Sequence, residues 1–133
     1  MRLRNGAAAA LVTVSAVAAT AAWTATAEAV DVRCGALRGT AVFKIEGERV
    51  RCPEARTIAR LHARSVARRG ACAFRLRDRV CTVRRYRCSF RVGFRGRPRD
   101  AFVLCLVPRR PFKVQFLYDG RKVRLPPPAG GAG

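Results

Sequence analysis

The sequence has few acidic residues: 8 Asp and Glu stand against 28 Lys and Arg, which gives a net charge of +20 at pH 7 over 133 residues. It also holds a single histidine, His62, and few serines. Nucleophilic catalysis needs a hydroxyl or thiol beside a base, and acid/base hydrolysis needs paired carboxylates. Neither set is present, nor is a glycine-rich loop that would cradle a phosphate. We therefore predict no catalytic residues, no cofactor and a non-enzymatic protein.

Half of the residues are nevertheless hydrophobic, which separates this chain from a disordered polycation. The length suits one domain. We expect a single folded domain over residues 30–125, followed by a flexible tail over 126–133 that is rich in proline and glycine and carries no charge.

Residues 1–29 have the pattern of a secretory signal peptide. Arg2 and Arg4 form a basic start, an apolar run follows, and small residues offer cleavage after Ala27 or after Ala29. The alternative is an uncleaved membrane anchor, but the apolar run is mostly alanine and falls short of the ~20 strongly apolar residues of a spanning helix. We expect a secreted or cell-surface protein with no transmembrane span once the signal is removed.

Six cysteines all follow this signal, and an exported domain of this size is where disulfides form and persist. The sequence contains no C-x-x-C pair and only one imidazole, which disfavours a zinc site, so we predict no metal. Three bridges are expected, although six cysteines allow fifteen connectivities. The cysteines are Cys34, Cys52, Cys72, Cys81, Cys88 and Cys105.

Local patterns predict one helix and several strands. The helix is expected from Pro53 to about Arg69, because proline favours a first helical position and Gly70 favours a stop. Strict alternation of apolar and polar residues predicts a half-buried strand over 86–94. A returning strand over 101–107 would place Cys88 opposite Cys105. The predicted fold is α+β, with one helix packed on a small antiparallel sheet and held by three disulfides.

Turn signals predict three hairpins. Asp119-Gly120 and Glu46-Gly47 each resemble a two-residue hairpin loop. A loop at either place would put apolar residues opposite one another across the two strands. The arginine- and proline-containing segment 96–100 is expected as an exposed hairpin tip.

Short motifs surround four of the cysteines: Cys34-Gly35, then Cys52-Pro53-Glu54-Ala55-Arg56 at a helix start, then Tyr86-Arg87-Cys88, then Cys105. In these motifs the chain resembles small secreted actinobacterial domains of unknown function. The resemblance implies export and a disulfide-held α+β fold, and no known activity. Such domains usually have four cysteines, so Cys72 and Cys81 are additional, and a bridge between these two is one interpretation.

Arginine recurs every four residues along the predicted helix, and further arginines occupy the polar side of the strand over 86–94. A guanidinium can donate two hydrogen bonds to one phosphate, sulfate or carboxylate. The helix would cover the apolar face of the sheet and leave an arginine grid on the opposite face. The predicted anion-binding residues are Arg56, Arg60, Arg64, Arg68, Arg85, Arg87 and Arg91.

We therefore predict binding to anionic polymers such as teichoic acid, acidic polysaccharide or extracellular nucleic acid, without reading of nucleic-acid sequence. A solvated charged face in a protein from a GC-rich genome is the simpler interpretation of the same residues. The alternative function is a secreted effector, either an enzyme inhibitor that uses the 96–100 tip or a cationic antimicrobial. His62 lies on the apolar side of the helix, so we expect it to be buried and structural.

Overall fold

A computed structural model describes residues 31–128, together with residue 10. The rest of the predicted signal peptide and the last five residues of the predicted tail lie outside this part of the chain. The described residues form β1 (Asp31–Gly35), β2 (Val42–Glu48), α1 (Cys52–Ala67), β3 (Val80–Val83), β4 (Tyr86–Phe94), β5 (Arg97–Leu106) and β6 (Lys113–Tyr118).

The six strands form one antiparallel sheet in the order β1-β2-β6-β5-β4-β3. The last strand in the chain, β6, therefore lies in the middle of the sheet. Helix α1 covers one face and buries Ala55, Ile58, Ala59 and His62 against it. This architecture confirms the predicted α+β fold.

The predicted helix and the predicted pairing of β4 with β5 are both confirmed. Helix α1 has Pro53 in its first turn and Glu54 near its positive N-terminal end. In the sheet, Cys88 is opposite Cys105 and Phe90 is opposite Val103. The side chains of β4 alternate between buried and exposed along most of the strand, and a shift by one residue would turn its apolar side to water.

All six cysteines are paired, as predicted. The bridges join the start of α1 to β1, the loop after α1 to β3, and β4 to β5. The pairs are Cys34–Cys52, Cys72–Cys81 and Cys88–Cys105.

Two predicted hairpin turns are wrong, because their glycines lie where a side chain would clash with nearby backbone and not in a two-residue loop. Gly47 lies inside β2, where an added Cβ would come within 2.6 Å of the carbonyl oxygen of Val50. Gly120 follows β6, and an added Cβ would overlap the backbone carbonyl of Arg99. Neither has the positive φ that a type I′ hairpin loop requires. Strand β6 pairs with β2 and β5 instead.

The predicted tip over 96–100 is also different. Phe94 pairs with Arg97 across a shorter turn, so residues 97–100 already belong to β5. The guanidinium of Arg97 donates to Asp100 at 3.1 Å and lies 5.1 Å from the ring centroid of Phe43. These contacts hold Arg97 along the strand, so the turn at the exposed end of the β4–β5 hairpin is formed by Arg95 and Gly96.

The predicted arginine grid on the face opposite α1 is only partly formed. Arg87 and Arg91 are exposed on β4. Their partners on β5 are Leu106 and Phe102, and directly paired residues share a face of the sheet. This outer face therefore combines guanidinium groups with large apolar side chains.

Candidate anion-binding groove

A cleft of about 530 Å³ lies between α1 and two turns on its flank. One turn precedes β2 and carries Arg38, and the other follows β6 and carries Lys122. Arg60 and Arg64 reach the cleft from α1, since residues four apart lie on the same face of a helix. Four cationic side chains from three segments therefore line one concave site.

The two turns are fixed in place by hydrogen bonds. The backbone N–H of Asp119 donates to the carbonyl of Ala41 at 2.9 Å, which joins one turn to the other. The Thr40 hydroxyl donates to Leu37 O at 2.9 Å and accepts the N–H of Val42 at 3.1 Å. The backbone at Gly39 has a φ of +70°, a conformation that is strained for a residue with a side chain. Arg38 and Lys122 therefore project from braced backbone.

A second cleft of about 480 Å³ continues the first along the C-terminal half of α1. Val66, Ala67 and Val123 line both clefts, so they form one continuous depression with an apolar floor. Arg69, Arg75 and Arg124 line the second part. We call the combined site the basic groove. Its cations are Arg38, Arg60, Arg64, Arg69, Arg75, Lys122 and Arg124.

No carboxylate of the described chain lines the basic groove. The nearest in sequence is Asp119, whose Oδ1 accepts the backbone N–H of Arg121 at 2.9 Å. This backbone hydrogen bond holds the pKa of Asp119 below its usual range. The Asp119 carboxylate thus interacts with the backbone of its own turn. The positive potential of the groove is not neutralised by a carboxylate in its lining.

The arginines predicted on the helix have different positions and partners. Arg60 and Arg64 line the basic groove. Arg56 donates to the carbonyl oxygens of Cys34 and Ala36 at 2.9 and 3.2 Å, so its guanidinium is used to hold β1 and the following turn. Arg68 is exposed at the C-terminal end of α1 and does not line the groove.

The arginines predicted on the strand do not join the helix set. Arg85 donates to Glu54 at 2.9 Å, and its guanidinium lies 5.6 and 5.1 Å from the ring centroids of Tyr86 and Phe112. Arg87 and Arg91 are on the outer face of the sheet, away from α1. The seven predicted residues therefore divide between two faces of the molecule.

Sequence reasoning missed most of the groove residues. Arg38 and Lys122 lie in turns more than 80 positions apart, and no periodic pattern links them. Arg69, Arg75 and Arg124 likewise occupy irregular segments. The sequence pattern that could have located Arg38 and Lys122 is a basic residue beside a glycine-containing turn, at Arg38-Gly39 and after Asp119-Gly120.

His62 and Tyr118 form the buried support beneath the groove. His62 is 2% exposed, and its Nδ1 is joined to the Tyr118 hydroxyl by a hydrogen bond of 2.7 Å. Burial lowers the pKa of His62 to about 4 and raises the pKa of Tyr118. The sulfur atoms of Cys72 and Cys81 lie within 4.8 Å of His62, but they are bonded to each other and offer no thiolate. The position of His62 confirms the prediction of a buried imidazole.

Comparisons with protein-family models, with curated proteins and with solved structures find no match for this chain. Within the part of the chain that the structure describes, no helix is long and apolar enough to cross a bilayer.

Proposed function

We propose that this protein is an exported, non-enzymatic binder of anionic polymers and that the basic groove is its binding site. The observation that carries the proposal is the convergence of seven cationic side chains, from α1, the loop after it and two turns, on a depression whose described lining includes no carboxylate. Three disulfides suit a protein that works in an oxidising compartment.

The groove matches a chain of charges better than a single ion. Its two parts follow one another along α1, from Arg60 to the helix end at Ala67, and continue into the loop that carries Arg69. The helical part alone spans about 10 Å at 1.5 Å per residue, which exceeds the reach of one phosphate or sulfate. The ligand class is therefore a flexible polymer with repeated phosphate, sulfate or carboxylate groups, such as teichoic acid or an acidic polysaccharide.

Binding of this kind is dominated by release of counterions from the polymer. The affinity should fall steeply with salt, and removal of each contacting cation should reduce the slope of log affinity against log salt by about one. Two aromatic rings line the basic groove: Tyr118 is buried, and Phe74 packs edge-to-face against Phe90 and Tyr118. Stacking of nucleobases is therefore not the favoured mode.

The test compares two triple variants that remove equal charge. Arg60→Gln/Arg64→Gln/Lys122→Gln alters the groove, and Arg87→Gln/Arg91→Gln/Arg95→Gln alters exposed positions on β4 and the turn after it. On a heparin column, the groove variant should elute at clearly lower salt than the control variant, with both proteins retaining the wild-type melting temperature.

Equal displacement of the two variants would contradict the proposal. It would show that heparin responds to the total charge of the molecule and does not occupy a particular groove. Binding to polyphosphate, measured by titration calorimetry over a salt series, gives a second readout with a polymer of different backbone.

A further inference from the structure

The outer face of the sheet carries exposed apolar side chains among arginines. Val80 is 52% exposed on β3 and Leu106 is 44% exposed on β5. They lie on either side of β4 and line one shallow depression of about 320 Å³ together with Arg87 and Pro108. Leu76, at 57%, is exposed in the loop that leads into β3. These side chains are apolar, and their exposure to water is unfavourable in free energy.

The register of the sheet places guanidinium groups on the same face as these apolar side chains. Arg87 pairs with Leu106, and Ser89 pairs with Val80 on one side and Leu104 on the other. Arg91 continues the basic row on β4. We call this set the outer patch: Val80, Leu104, Leu106, Arg87 and Arg91.

The outer patch has an excess of positive charge of its own. Neither Arg87 nor Arg91 forms an ion pair with a described residue. Strands β3 and β4 contain no carboxylate. The carboxylates on this face of the sheet lie on β2, where Glu46 accepts a hydrogen bond from Gln115 and lines a depression with Arg91, and Glu48 pairs with Lys113. The patch therefore combines two cations that form no described ion pair with exposed apolar groups on one sheet face.

We propose that the outer patch docks the protein on a bilayer rich in anionic phospholipid. At such a surface the guanidinium groups contact lipid phosphates while Val80 and Leu106 enter the boundary between headgroups and acyl chains. Because lipids move freely in a fluid bilayer, phosphates can contact the arginines and acyl chains can contact Val80 and Leu106 without a fixed spacing between binding groups. Charge complementarity favours this partner over a second copy of the chain, because two molecules of charge +20 repel each other.

Addition of a peptide strand to the neighbouring sheet edge fits less well. The edge strand β3 has four residues and is flanked in the chain by Arg79 and Arg84. Short edges bordered by charge are a common means of preventing strand addition. The outer patch is also on the opposite side of the sheet from α1 and the basic groove, so lipid docking does not depend on the proposed polymer binding.

The first test is co-sedimentation with vesicles of phosphatidylglycerol, with phosphatidylcholine vesicles as the neutral reference, at an ionic strength of about 0.15 M. The wild-type protein should bind the anionic vesicles. The variant Val80→Ser/Leu106→Ser should bind them about tenfold more weakly, because the inserted apolar groups are lost. Its heparin elution should not change, since the groove is intact.

The groove variant Arg60→Gln/Arg64→Gln/Lys122→Gln is the matched control. It should keep most of its vesicle binding while its heparin elution falls, so failure of one proposal is distinguishable from failure of the other. Equal vesicle binding by the wild type and Val80→Ser/Leu106→Ser would overturn the lipid proposal, as would absence of wild-type binding. A wild-type dimer that Val80→Ser/Leu106→Ser abolishes, without vesicle binding, would assign the patch to a second copy.

A spectroscopic readout places the patch at the membrane directly. Trp23, the only tryptophan of the chain, lies in the predicted signal peptide, so Leu106→Trp in the protein without residues 1–29 reports on one position. Its emission should shift to shorter wavelength with phosphatidylglycerol vesicles and should be quenched by lipids brominated on the acyl chain. An unshifted and unquenched spectrum in a vesicle-bound protein would show that another surface makes the contact and would overturn the proposal.

Discussion

His62 packs between α1 and the central strand β6, with its ring 5.3 Å from that of Phe116 and its Nδ1 bonded to Tyr118. Burial lowers its pKa from 6.5 to about 4 because the charged imidazolium would lose its hydration. The folded protein therefore keeps His62 neutral in a range where the unfolded chain takes up a proton.

This difference predicts a pH dependence of stability. The stabilisation is complete above pH 6.5, declines as the pH falls from 6.5 to about 4, and is constant below that. Between about pH 7.5 and about pH 4.5 the contribution to the free energy of unfolding should change by about 2 kcal/mol. Urea denaturation of the wild type and His62→Gln at both pH values measures it, since the variant should lack this part of the slope.

Carboxylates titrate in the same pH range, so the meaningful quantity is the difference between the two proteins. Heparin elution of His62→Gln near neutral pH should equal that of the wild type, because the imidazole is neutral and buried there. Identical pH slopes in the two proteins would contradict the neutral, buried state of His62.

At the scale of elements, the three disulfides should contribute unequally. The loop lengths differ little in effect: 17 residues separate Cys88 from Cys105, and 9 separate Cys72 from Cys81. The chain-entropy model turns that ratio into only about 0.5 kcal/mol. The position in the sheet decides instead: Cys88 and Cys105 are at most 1% exposed on two interior strands, while Cys72 and Cys81 are 4% and 8% exposed where a loop meets the edge strand β3.

We therefore expect Cys88→Ala/Cys105→Ala to lose more stability than Cys72→Ala/Cys81→Ala. The first pair should cost about 4 kcal/mol, from the lost cross-link and the cavity between two central strands. The second should cost about 2 kcal/mol and mainly release the loop before β3. Guanidinium denaturation of both variants measures the order, and a larger loss in the second pair would contradict it.

At the scale of the whole molecule, positive charge greatly exceeds what the described ion pairs neutralise. The net charge is +20, and the ion pairs are Arg85–Glu54, Arg97–Asp100, Lys113–Glu48 and Arg121–Asp119. Like charges held at the surface of a compact fold repel more than they do in the expanded chain. Screening should therefore stabilise the folded state.

We expect the melting temperature to rise by about 5 °C between ionic strengths of about 0.01 M and about 0.15 M, which corresponds to about 1 kcal/mol. Polymer affinity should fall over the same range, so stability and binding respond to salt with opposite signs. Scanning calorimetry at both ionic strengths checks the first part. A melting temperature that falls with salt would show that the surface ion pairs outweigh the repulsion.

Several features of the fold follow from local patterns in the sequence. Proline, glycine and apolar spacing located α1 and the burial of His62, and alternation located β4 and its register with β5. These patterns are reliable because a helix turns every 3.6 residues and a strand alternates every two, so one arrangement buries the apolar side. The turn signals failed because Gly47 lies inside β2, against the carbonyl of Val50, and because Gly120 packs on the carbonyl of Arg99, which is distant in the chain and is not encoded in a local pattern.

Contacts between segments that are distant in the chain depend on the strand order and on the packing of the whole fold. Insertion of β6 between β2 and β5 brings the turn that carries Lys122 beside the turn that carries Arg38, and α1 then adds Arg60 to the same groove. The strand order likewise places Val80 and Leu106 on either side of β4. Composition fixes the sign and amount of charge, but the position of each charge depends on strand order and packing. Long-range contacts of this kind are chosen by the burial of the whole core and not by any one segment.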